Sequence, residues 1–123
     1  MSALGDSLLH IGKRPGMYFG HGHIYARSIS FVSAFITGFQ HGQQSPADAL
    51  DFGYFTRWVA AHYRVVDGAM SGFSLILEKV GGDDALAFDE FFRLLPLFLR
   101  DYEQIGPEGI AERYGRVIKE ITT

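Results

Sequence analysis

Phe88, Phe91, Phe92, Leu95, Phe98, Leu99 and Tyr102 form an apolar stripe that recurs every three or four residues. That spacing is one face of an α-helix, and so many large rings on one face demand an equally apolar surface opposite. Asp83 or Asp84 stands where the N-cap of this helix is expected. Pro96 lies inside the stripe and cannot donate to the Phe92 carbonyl. A kink near residues 92 to 96 is therefore expected, not two separate helices.

The other segments supply the matching surfaces. Leu4, Leu8, Leu9 and Ile11 predict a short amphipathic helix stopped by Gly12 and Pro15. Residues 29, 32, 35, 36 and 39 are apolar at helical spacing, predicting a helix over 24–39 that ends near Gly42. Gln43-Gln44-Ser45-Pro46 is a polar connector. A third helix is expected over 51–64, capped by Asp51, with Phe52, Phe55, Val59, His62 and Val66 on one stripe and Trp58 beside it. The segment 71–80 fits a strand by Phe73, Leu75 and Leu77 and a helix by Phe73, Ile76, Leu77 and Val80. Ser71 as cap and Gly81-Gly82 as terminator favour the helix. Gly106-Pro107-Glu108 opens a last helix with proline at its first position, and Ile110, Tyr114, Val117, Ile118 and Ile121 are its expected buried face. The sum is an all-α, compact single-domain bundle of five to six helices over residues 1–123.

Composition agrees with a packed domain: 47% of residues are hydrophobic, and 11 phenylalanines give a small core bulk. Without cysteine there is no disulfide, thiolate nucleophile or cysteine zinc site. No apolar run reaches the roughly 18 residues of a spanning helix, and the first residues lack the pattern of a secretory signal, so a cytoplasmic location is expected. Charge is uneven: residues 1–66 carry five cations against three acids, and residues 67–123 carry six against eleven. No concentrated basic patch suggests direct nucleic-acid binding, and an acidic half suits a basic protein partner.

Few residues form a pattern that carries chemistry. Gly20-His21-Gly22-His23, with His41 and His62, lacks carboxylates at ligand spacing, so no metal is expected. Serine, histidine and aspartate occur, but no G-x-S-x-G turn marks a nucleophile, and Asp83-Asp84 reads as a capping pair. No catalytic residue and no cofactor are expected. The string Lys13, Arg14, Pro15, Gly16, Met17, Tyr18, Phe19, Gly20 is a shaped loop. It lacks the G-K-[ST] of a phosphate loop and is expected to be structural, its aromatics filling a gap between helices.

Two resemblances attach to these residues. K-R-P-G-M-Y-x-G resembles a segment near the start of the ATPase domain of the DNA gyrase B subunit. The acidic and asparagine positions and the D-x-G-x-G loop of that family are missing, which makes the match local. Ile11 to Gly20, Phe31 to Phe39, Phe55-Thr56-Arg57-Trp58 and Ala87 to Leu95 together resemble small bacterial immunity proteins of contact-delivered toxin systems. That resemblance implies a non-enzymatic partner of a cognate toxin domain. Asp83, Asp84, Asp89, Glu90, Asp101 and Glu103 are then the expected interface acids, standing in for phosphates against a nucleic-acid-acting toxin. The alternatives are a nucleotide-binding regulator using Lys13 to Gly20, or a structural subunit of a bacterial assembly.

Overall fold

The computed structural model describes residues 3–13, 29–42, 53–66, 68 and 70–123. They form an all-α arrangement: α1 (Ala3–Lys13), α2 (Ile29–Gly42), α3 (Gly53–Tyr63), α4 (Gly72–Lys79) and α5 (Asp84–Thr122). No strand occurs among the described residues. The polar connector 43–46, the loop from Arg14 to Gly20, the histidines 21 and 23 and the expected cap Asp51 lie outside them.

The phenylalanine stripe organises the bundle as its periodicity requires. α5 touches each of the other four helices, and Ala87, Phe88, Phe91, Leu94, Leu95, Phe98 and Leu99 are buried along its inner face. Against them pack Leu8 of α1, Ile29, Val32 and Ile36 of α2, Phe55, Trp58, Val59 and Ala60 of α3, and Leu75 and Ile76 of α4. Phe55 sits at the centre, its ring centroid 5.1 Å from that of Phe98 and 5.4 Å from that of Phe91, both edge-on. Edge-to-face pairing sets the positive ring edge against the negative face, adding to the area the rings remove from water.

Local chemistry sets the helix ends. Ser71 caps α4, its hydroxyl accepting from the Ser74 amide at 3.2 Å, so the ambiguous 71–80 segment is a helix. Gly81 and Gly82 close it at φ 76° and 86°, with the Gly82 amide donating to the Leu77 carbonyl at 2.8 Å. This is the left-handed closure that glycine adopts without steric cost. The same hydrogen-bond pattern ends α3, but Arg64 holds the left-handed position there at φ 57°. Its amide donates to Ala61 and that of Val65 to Ala60.

Three expectations change. α1 does not stop at Gly12: that residue is helical, and a Cβ there would lie 2.5 Å from Phe92 Cδ1. Gly12 therefore lets α5 approach α1 closely. Val66 does not continue the α3 stripe, because the left-handed turn at Arg64 ends the helix first and leaves Val66 53% exposed. His62, on the same expected stripe, is also exposed.

Pro96 leaves the dihedrals of α5 helical, as a single continuous helix requires. The break comes at Gly106, with φ 70° and ψ 178°, so α5 consists of a core limb and a C-terminal limb that starts at Pro107. Of the face expected to be buried on that second limb, only Ile110 is; Tyr114, Val117 and Ile118 are half-buried and Ile121 is exposed. Helical spacing marks a face, but how far the core extends beneath it depends on the other helices.

Candidate functional site

The six acids expected at an interface divide into two groups. Asp83 caps α5 by accepting from the Leu86 amide at 2.9 Å. Asp84 reaches across the fold and accepts from the Ile29 amide at 2.8 Å, capping α2. Glu90 accepts the Tyr63 hydroxyl at 2.7 Å and both Nε and Nη2 of Arg93, at 2.6 and 3.0 Å. Asp101 accepts Trp58 Nε1 and Arg113 Nη1, each at 2.9 Å. Asp83 thus serves its own helix, and the other three carboxylates bind helices to one another. Asp89 and Glu103 face solvent on the core limb of α5, on an outward side that also carries the exposed Arg93 and Arg100. That face is mixed in sign. Of the loop motif, Lys13 is described as the exposed last residue of α1.

The two clamps tune their carboxylates alike. The Arg93 hydrogen bond holds Glu90 below the usual carboxylate range, against burial that pushes it up, and the Tyr63 hydroxyl adds to the lowering. Burial is the largest influence on Asp101 and raises it. The hydrogen bonds from Trp58 and Arg113, with the charges of Arg113 and Arg100, outweigh that and leave it low. Tyr63 moves the other way, raised well above the phenol range by burial and then by its bond to Glu90.

A pH dependence follows from the two acids. Their folded values lie below their unfolded ones, so their contribution to stability is whole above the unfolded carboxylate range of about 4 and is lost as pH falls through the folded values. Urea midpoints are expected to drop between pH 5 and pH 3, and the drop to shrink in Glu90→Gln/Asp101→Asn. An equally steep acid limb in that double variant would remove these residues from the account.

The clamps also position a surface. Tyr63 and Arg64 end α3, and the left-handed turn directs Val65 and Val66 outward beside α4. Val65, Val66, Met70 and Leu75 then line an open groove of about 300 Å³, with Tyr63, Glu78 and Lys79 at its polar edge. Lys79 Nζ lies 5.4 Å from the Tyr63 ring centroid, and the ring is fixed from behind by Glu90. Val65 and Val66 are 37% and 53% exposed. No protein-family model, curated protein or solved structure matches this chain.

Neither valine was singled out as a surface residue by the sequence reading. The signal was present: two adjacent β-branched residues just before the Asp67-Gly68 dipeptide, a sequence signal for a turn, where a loop is ordinarily polar. The metal expectation has a narrower basis. Among the described residues no group of three or more histidines or carboxylates stands close enough to hold a metal ion. His62 instead stacks on Trp58, with ring centroids 5.1 Å apart and planes 8° from parallel. Among the described residues, no helix is long and apolar enough to cross a membrane.

Proposed function

We propose that this chain is a protein-recognition module, an immunity protein that binds a cognate toxin domain and blocks its active site or substrate surface without performing a reaction of its own. One observation supports the recognition part of this reading: the exposed Val65-Val66 pair beside Met70 and Leu75, edged by Glu78 and Lys79. An apolar centre with a polar rim is the usual anatomy of a protein interface, and a few anchors at its centre carry most of the binding energy. The toxin part rests on the resemblance carried by Ile11 to Gly20 and the aromatic helices. Asp89 and Glu103 are exposed on the outward face of α5, and charges there affect association rate and partner choice more than affinity.

Co-expression tests the reading. Cells producing the variable terminal domain of a secreted protein encoded beside this gene should recover growth when the chain is supplied. Val66→Asp should abolish that recovery by weakening the complex by about 2 kcal/mol or more, while leaving the melting temperature of the free protein unchanged. Asp89→Lys/Glu103→Lys should slow association chiefly at low salt. Full protection by Val66→Asp would remove the groove from the interface, and failure of the unaltered chain to protect or to bind would remove the toxin reading.

A further inference from the structure

Gly106 adopts φ 70° and ψ 178°, a combination that only glycine occupies without strain. A Cβ there would meet nothing within 4 Å, so it is the backbone angle, not crowding, that calls for glycine. Pro107 follows and has no amide hydrogen to carry the helical ladder across. The two limbs of α5 are thus joined at a point where the regular hydrogen bonding lapses.

The limbs are also held very differently. The core limb buries seven apolar side chains between Ala87 and Leu99, whereas beyond Gly106 Ile110 alone among the described residues is buried. Two polar ties supplement it. Arg113 Nη1 donates to Asp101 Oδ2 at 2.9 Å, and Arg64 Nη2 donates to Glu120 Oε2 at 3.0 Å. The side chains of both arginines are well exposed, at 40% and 56%. Ion pairs of that kind contribute little individually. Tyr114 packs partly buried against the core, and Val117 and Ile118 are half-buried. A helix with one fully buried side chain opens at lower free energy than a limb that buries seven.

We infer that residues 107–122 form a latch, a helix that undocks from α3 as one unit about Gly106 while the rest of the bundle stays folded. Asp101 is the catch. Its Oδ2 accepts from Arg113 on the latch and from Trp58 Nε1 on α3 at once, so the latch and the tryptophan share one anchor. Trp58, Ala61, His62, Asp101 and Arg113 line a small cleft of about 100 Å³ between the two helices. Release of the latch opens that cleft and bares the Trp58 indole, 4% exposed when docked, beside its stacked histidine. The fold therefore holds an aromatic surface in reserve. This inference does not depend on the toxin reading.

Hydrogen exchange read by mass spectrometry on the full chain, with emission from the single tryptophan, tests it. Amides of residues 108–122 should exchange together and faster than those of residues 88–99. Arg113→Ala should speed the first group about two- to fivefold, the loss of one partly exposed ion pair, leave the second group unchanged, and shift Trp58 emission to the red. Arg64→Ala should act in the same direction on exchange without touching Asp101. If both groups exchange at the same rate in the unaltered protein, or if Arg113→Ala speeds them equally, the C-terminal limb is an integral part of the core and no latch exists. Unchanged exchange of residues 108–122 in both variants overturns the inference as well.

Discussion

Truncating Phe55 to alanine is expected to cost about 3–5 kcal/mol, the largest single-residue loss in this fold. The ring is 1% exposed and stands within 6.3 Å, centroid to centroid, of Trp58, Phe73, Phe91 and Phe98. Its removal leaves a void bounded by rigid rings on helices that are themselves pinned. α3 is tied to α5 by the Trp58–Asp101 and Tyr63–Glu90 hydrogen bonds, so it cannot slide in to fill the space. A domain of this size has about 5–15 kcal/mol in total, and urea unfolding followed by circular dichroism should find the variant near its midpoint in little or no denaturant. A loss of about 1 kcal/mol or less would show that the surroundings collapse around the gap and that the core is less fixed than its geometry implies.

The second large effect comes from adding atoms to the same place. Gly72 starts α4 where it crosses α3, and its amide donates to Thr56 Oγ1 at 2.9 Å. A Cβ on Gly72 would stand 2.9 Å from Phe55 Cδ2 and 3.3 Å from the Thr56 Cα. The ring is boxed in and the Thr56 backbone belongs to a helix, so neither yields cheaply. Gly72→Val is expected to lose about 3 kcal/mol by overpacking, measured as the shift of the urea midpoint at constant slope. Because both substitutions act at one ring, they should not add. In Phe55→Leu/Gly72→Val the smaller side chain makes room, and the double variant should be more stable than the sum of its parts predicts. Strict additivity would mean that the valine collides with Thr56 alone.

What the sequence disclosed and what it withheld divide by distance along the chain. Ser71 as a cap, Gly81-Gly82 as a terminator and Asp83 at the head of α5 were legible because each satisfies a group a few residues away. The phenylalanine stripe was legible for the same reason, since its period is a property of one helix. That Asp84 caps α2 was not legible, because its partner, the Ile29 amide, lies 55 residues distant. Glu90 and Asp101 serve Tyr63 and Trp58, 27 and 43 residues away, and no local pattern marks a carboxylate for such work. Periodicity failed in a different way at Val66 and at Ile121. It correctly marked apolar residues, but not that a left-handed turn would remove the first from α3 or that the core would stop short of the second.

The place of α5 in the order of synthesis has a consequence of its own. The helix that α1 to α4 all touch follows them in the chain, so a nascent chain carrying α1 to α4 lacks their shared packing surface until Leu99 has left the ribosome. Their half-covered apolar faces, and the start of α2 that waits for Asp84, stay exposed until α5 has been made. A holdase that shields those faces until α5 emerges would raise the yield of folded protein.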